Sequence, residues 1–217
     1  MIRTQAQAEQ HCHTLGRTDA MPGYCYGIPA VECNVGSRLV TVPGSTCHNC
    51  YALQGRYMFE NVQTAEYKRF RLLSDPLWVD AMVFLISKKC VGKNSYFRWH
   101  DSGDLQSIDH LENICTVAKK TPNVHHWLPT REYRIYFQYL KTNALPTNLV
   151  ARLSGHMIDR PRPNFGPTVP TSTVVTDGSE TCPKLSPENQ GNCQKCRSCW
   201  NPNIQNVSYK YHGKKLQ

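Results

Sequence analysis

Apolar residues recur along this chain in two rhythms: short continuous runs that suit buried strands, and 3.6-residue spacings that suit helices. Ser95 to His100 is one such run, ending in the polar cluster Asp101-Ser102-Gly103-Asp104. Ser107 then opens a predicted helix with Ile108, Leu111, Cys115 and Ala118 along one face. The unit recurs. Val124 to Leu128 reads as a strand with Thr130-Arg131 at its end, and Glu132 to Lys141 as a helix. Leu149 to Leu153 is a further strand ending at Ser154-Gly155-His156, and Ser172 to Thr176 another ending at Asp177-Gly178. Upstream, Val62, Ala65, Phe70 and Leu73 suggest a helix from about Asn61 to Ser74. A second helix follows, capped by Asp75 with Pro76 in its first turn and Leu77, Ala81, Phe84 and Leu85 on its apolar face.

Strands separated by helices argue for an α/β fold built on a parallel sheet or a partial (β/α) barrel, because parallel neighbours need crossover connections. The working face of such folds is the carboxyl end of the strands, where the polar clusters collect here. The first forty residues are rich in turn formers and predict mostly loop, with Leu39 to Val42 as a short strand before Pro43-Gly44. The proline-rich stretch Asp159 to Pro170 predicts an ordered loop or lid, and the segment from Cys182 onward an irregular, cysteine-rich and then basic tail. The organisation expected is a catalytic α/β domain over residues 1–180 and a metal-binding, basic segment over 181–217.

A chain of 217 residues suits one substantial core. It contains no apolar run of the roughly 18 residues that a membrane span needs, and Met1 to Gln10 lacks the layout of a signal peptide, so a cytoplasmic location is expected, that of the host cell if the chain is phage-encoded. Eleven cysteines in a reducing compartment point to metal ligation rather than disulfides. Lys and Arg outnumber Asp and Glu by 25 to 16, and the net charge of +9 favours a polyanionic partner, nucleic acid first and DNA rather than RNA, with no membrane role. The end of the chain, Ser208-Tyr209-Lys210-Tyr211-His212-Gly213-Lys214-Lys215, adds charge for phosphates and rings for stacking.

The cysteines fall into two groups. Cys182 is followed by Cys193, Cys196 and Cys199, the last three in a C-x2-C-x2-C array, and four thiolates suit zinc or a four-iron cluster. Cys47 and Cys50 form a C-x2-C pair after a Pro-Gly turn, with Cys33 on the preceding loop and Cys25 as a possible further member. Three thiolates leave one coordination position open, as a catalytic metal or substrate-binding cluster requires. Cys12, Cys90 and Cys115 read as packing residues. At the strand ends, Asp101 and Asp104 are candidates for acid, base or nucleophile roles, together with Asp177. Thr130, Arg131, Arg152 and Ser154 extend the same face as candidate ligand contacts, since arginine offers a fork to carboxylate or phosphate.

Asn49-Cys50-Tyr51-Ala52, the run Arg98-Trp99-His100-Asp101-Ser102-Gly103-Asp104 and the terminal cysteine array together resemble a family of small phage-encoded proteins, over roughly Met21 to Trp200. Two wider resemblances carry chemistry. The order of cysteine motif, helix, strand with a glycine–acid turn, further strands and a second cysteine set is similar to radical S-adenosylmethionine enzymes with an auxiliary cluster. That resemblance implies an iron–sulfur cluster on Cys33, Cys47 and Cys50, with Ser102, Gly103 and Asp104 at the cofactor's amino group and Arg152 and Ser154 at its carboxylate or ribose. The chain also resembles the guanine transglycosylases, including phage enzymes that insert 7-deazaguanines into DNA. Those would assign Asp101 or Asp104 and Asp177 as nucleophile and acid/base, and a zinc site to Cys182, Cys193, Cys196 and Cys199. A third class is a zinc-bearing, non-enzymatic DNA-binding protein.

Overall fold

The computed structural model describes residues 1–18, 20–193 and 195–211. Six parallel strands form one sheet: β1 (Tyr24–Tyr26), β2 (Tyr96–Trp99), β3 (His125–Thr130), β4 (Leu149–Ser154), β5 (Thr171–Val175) and β6 (Asn206–Lys210). Each lies beside its neighbour in sequence, in the order β1-β2-β3-β4-β5-β6. The parallel α/β architecture expected from the alternating rhythms is therefore present, as a sheet wound in one direction.

Among the described residues, six α-helices accompany the sheet: α1 (Gln5–Cys12), α2 (Asn34–Leu39), α3 (Glu60–Leu72), α4 (Trp78–Lys89), α5 (Ile108–Lys120) and α6 (Tyr133–Tyr139). Helix α5 starts where the sequence placed it, with the Ser107 hydroxyl accepting from the His110 amide. Asp75 does not cap α4 directly. Its carboxylate accepts from the Leu77 amide, one residue before the helix, and also meets His11 of α1. Helix α1 is held at its start by a reciprocal capping box between Thr4 and Gln7. None of the described helices is long and apolar enough to cross a membrane.

The two faces of the sheet bury different things. Phe97, Trp99, Leu128, Leu149, Ala151 and Leu153 pack with α1, α4, α5 and α6 in the main core. Side chains of alternate residues point to the opposite face, where Trp127 packs with Cys199, Trp200 and Val207 from the chain beyond β5. The described residues between 176 and 205 thus bring Cys182, Cys199 and Trp200 onto the opposite face, pinned there by the Trp200 indole donating to the Phe97 carbonyl.

Several expected elements differ. Leu39 to Val42 is the end of α2 and a turn, not a strand. The first forty residues, expected to be mostly loop with short strands, hold the short strand β1 and also two helices, α1 and α2. The tail is not irregular throughout, because Asn206–Lys210 pairs in full register with β5, so the sheet continues past residue 180. Residues 212–215 of the basic end lie outside the described residues.

Candidate functional site

The carboxyl ends of β1 to β4 carry a continuous polar rim. After β1 the chain runs through Cys33, α2 and the Cys47–Cys50 turn before returning along α3 and α4. The turn is tied to neighbouring strand ends: the Thr46 amide donates to the His156 carbonyl beyond β4, and Arg131 at the end of β3 donates through Nε to the Thr46 hydroxyl. Glu132 accepts from the Val35 amide at the start of α2 and so fixes the stretch that follows Cys33. The residues between Cys33 and Cys47 are taken up by α2 and a tight return, which brings sulfurs far apart in sequence to one place.

Gly36 shows how closely the backbone approaches these sulfurs. A methyl group at Gly36 would lie 2.9 Å from Cys33 Cβ, 3.5 Å from Cys33 Sγ and 3.7 Å from Cys47 Sγ. Burial, then the nearby Asp104, Cys50 and Cys47, push the Cys33 thiol up, and burial does the same to Cys50. The Arg131 guanidinium faces Cys47, Cys50 and Asp104. The rim thus gathers three thiols and one cation around a space that glycine keeps clear. As the side chains stand, no three His, Cys, Asp or Glu among the described residues are in metal-holding geometry. The donor set nonetheless fits a thiolate-bound centre, with sulfurs that must draw inward around the ion and lose their protons to it.

Asp104 is the best-held carboxylate of the rim. Its Oδ1 accepts from Thr130 Oγ1 at 2.6 Å and from the Leu105 amide at 2.8 Å, and its Oδ2 from the Arg131 amide at 2.8 Å. It latches the end of β2 to the end of β3 and, with Ser107 capping α5, has no part in the helix start. Asp101 faces another way. Its carbonyl accepts from the Tyr51 hydroxyl at 2.6 Å, its Oδ2 lies 3.4 Å from the Tyr57 hydroxyl, and its buried Oδ1 finds no hydrogen bond. Arg98 links to the same group, donating to the Tyr51 hydroxyl at 3.0 Å while its guanidinium stacks 4.7 Å from the Trp127 ring centre. His100 leaves the cluster altogether. At a φ of 56° it turns into the core against the His110 ring, and burial holds its pKa well below the usual histidine value.

A carboxyl that pattern reasoning missed completes this end of the site. Glu66 on α3 is only 4% exposed and faces Asp101, Ser102 and Arg69. Burial first, and the Asp101 charge second, raise its pKa to about 7 against the opposing pull of Ser102 and Arg69. The folded carboxyl therefore holds its proton more tightly than the unfolded one, so its contribution to stability is full below about pH 4 and is lost as pH rises through 7. Glu66→Gln removes that dependence. The stability of the native chain relative to the variant is expected to fall by roughly 2 kcal/mol between pH 4 and pH 8 in urea titrations, and parallel pH profiles would refute the assignment.

Other expected site residues are spread out. Thr130 and Arg131 stand at the rim as expected. Ser154 is buried at the end of β4, where its hydroxyl accepts from Ser172. Arg152 does not reach the rim, since its side chain turns under the sheet and its donors are consumed by carbonyls of Thr171 in β5 and of the segment that carries the cysteines. Asp177 is exposed in a turn beyond β5, where bonds from the Ser179 hydroxyl and amide lower its pKa.

The second cysteine group assembles on the opposite face. Cys182, Cys193, Cys196 and Cys199 line one narrow cleft with Lys184, Trp200 and Val207. Cys182 is placed by its amide donating to the Ser208 carbonyl of β6, and Cys193 by its amide donating to Ala20. Cys199 Sγ is 3.2 Å from the Tyr209 hydroxyl. Burial raises the Cys199 thiol to about 12 and shifts Cys182 and Cys193 upward as well. Four clustered thiols in a tight cleft are the donor chemistry of a closed tetrahedral site.

A family model described as Gene product 88 matches residues 2–202. No curated protein and no solved structure matches the chain.

Proposed function

The chain belongs to the gene product 88 family, and we propose that this member is a metalloenzyme that modifies nucleic acid, with an architecture like that of radical S-adenosylmethionine enzymes. The observation that carries the proposal is the gathering of Cys33, Cys47 and Cys50 beside Asp104 and Arg131, at the carboxyl ends of sequentially ordered parallel strands. An iron–sulfur cluster held by those three thiolates keeps an open position and, when bound, supplies the electron for reductive cleavage of S-adenosylmethionine.

The chain's own residues have separate tasks in this scheme. Asp104 fixes the Arg131 backbone, so the guanidinium stays beside the thiolates and offsets their charge. The hydroxyls of Thr130 and Ser154 and the backbone around Ser102 and Gly103 line the strand ends where a polar cofactor would be oriented. Asp101, with a free buried oxygen, and Glu66, which holds a proton near neutral pH, are placed to accept and donate protons at the substrate side. Three features favour nucleic acid as substrate: the net charge of +9, the exposed Tyr51, Met58 and Phe59 on adjoining turns, and Arg56 among them.

The second reading is a DNA base transglycosylase with zinc on Cys182, Cys193, Cys196 and Cys199 and Asp101 as nucleophile. The four-cysteine cleft favours it; the exposed turn position of Asp177, far from acting as a shielded acid/base, weighs against it.

Metal and sulfide analysis with an absorption spectrum, on protein purified without oxygen, separates the two. Iron, sulfide and a brown chromophore, followed by cleavage of adenosylmethionine, are the expected results. Zinc alone in a colourless protein overturns the radical reading; a base-exchange assay then distinguishes a transglycosylase from a DNA-binding protein without activity.

A further inference from the structure

Arg152 is a buried cation without a carboxylate. It lies in the middle of β4 and is 0% exposed. All five of its donors are used: Nε to the Cys199 carbonyl at 3.1 Å, Nη1 to Thr171 at 3.2 Å and Ile204 at 2.8 Å, and Nη2 to Ser198 at 2.7 Å and Asn201 at 2.8 Å. Every acceptor is a neutral backbone carbonyl. None of the ion pairs among the described residues includes Arg152.

Enclosing a full positive charge in protein costs several kcal/mol even after relaxation. Carbonyl dipoles offset part of that cost, but a loop needing only to be tied down is served by neutral donors. The groups around Arg152 that can carry negative charge are Cys199 and Tyr209. Cys199 belongs to the four-thiol cleft, and a divalent ion bound by four thiolates leaves a centre with a net charge of about −2. The other charged neighbours of the cleft include Lys184 beside Cys182 and Cys193, Arg98 toward Cys193, Glu180 toward Cys182, and the half-buried Arg197, which donates to the Cys196 carbonyl at 2.6 Å. Among the described residues, Arg152 is the cation that is both fully enclosed and bonded to this turn; Arg197 is bonded to it but half exposed.

We propose that Arg152 is the positioning residue and counter-charge of a metal centre on Cys182, Cys193, Cys196 and Cys199. Its fork holds the carbonyls of Ser198, Cys199 and Asn201, which set the Cys196–Cys199 turn, and its charge balances the thiolates once the ion is bound. The inference rests on the reading of that cleft as a metal site and is independent of the chemistry at the rim.

The test uses the full chain stripped of metal and titrated with Zn²⁺ against a chelator, and with Co²⁺ for its thiolate charge-transfer bands, in wild type, Arg152→Lys and Arg152→Met. Wild type is expected to bind tightly with a tetrahedral four-sulfur cobalt spectrum. Arg152→Met is expected to weaken Zn²⁺ binding tenfold or more, and Arg152→Lys, which keeps the charge but not the fork, to recover most of it. Equal affinity in Arg152→Met, or a lysine variant as weak as the methionine one, overturns the counter-charge role. Should Arg152→Met fail to fold, Arg152→Lys decides alone: affinity within a few fold of wild type supports the proposal and a tenfold loss overturns it. A wild-type chain with no four-sulfur cobalt spectrum overturns the metal reading beneath it.

Discussion

Gly103→Ala is expected to lower the stability of the fold by about 2–5 kcal/mol. Gly103 has a φ of +81°, and an added Cβ would stand 2.3 Å from Ile28 Cγ1 and 2.7 Å from the Ile28 carbonyl oxygen. The side-chain atom could shift, but the carbonyl belongs to the backbone, and the Ile28 amide is itself bonded to the Ser102 carbonyl. The left-handed conformation adds about 1–2 kcal/mol for a residue with a Cβ and the overlap about 1–3 kcal/mol more. Together these come to about 2–5 kcal/mol, a large share of the roughly 5–15 kcal/mol that holds an ordinary domain together. Chemical denaturation read by tryptophan fluorescence checks the prediction, and a midpoint close to wild type would show that the β2 turn is more yielding than its contacts imply.

On the proposed iron–sulfur reading, Cys47→Ala should act in the opposite manner, sparing the fold and removing the proposed chemistry. The residue is small and on a loop anchored by its neighbours rather than by its own side chain, so alanine costs little packing. Two thiolates do not retain a cluster that requires three protein ligands. Iron content is expected to fall by the share of one centre, with loss of adenosylmethionine cleavage and an unchanged circular dichroism spectrum. Iron content and activity equal to wild type would remove Cys47 from the site.

The parts of the fold legible in the sequence are those in which local pattern and tertiary demand agree. β2, β3 and β4 are apolar runs ending in polar clusters, and α5 announces itself with a serine cap and a one-sided apolar face. β1 has three residues, too few to show any period, and α1 has little apolar character, its one signal being Thr4 followed by Gln7. β6 did carry a strand pattern, with Val207 buried in the second core, but its lysine and tyrosine also suited a basic tail. Charge and pairing compete in such a segment, and the partner strand decided.

The site divides along similar lines. Thr130, Arg131 and Asp104 were legible because a strand end predicts a direction as well as a location. Arg152 was misplaced because parity sets only the face on which a side chain emerges, and what covered that face came from a segment without periodicity. Glu66 gave no signal at all: on a helix rich in charge, nothing local distinguishes the glutamate that points inward. Tyr51 was visible only as part of the Asn49-Cys50-Tyr51-Ala52 motif, without a role until its hydroxyl met Asp101.

The carbonyls that enclose Arg152 have a consequence for the order of events during synthesis. Strands laid down in sequence order can add to the sheet one at a time, each docking on the last as it leaves the ribosome. Three of the acceptors of Arg152, however, lie 46, 47 and 49 residues further along the chain and a fourth 52 residues on. At translation rates of about 5–20 residues per second, that guanidinium waits roughly 2–10 seconds for its partners. During that interval β4 carries a solvated charge and Trp127 an open ring, so the nascent sheet has one finished side and one unfinished side. The segment that carries the cysteines is thus fitted after β4 and β5 are in place, and until it arrives the exposed side of the sheet is open to other chains.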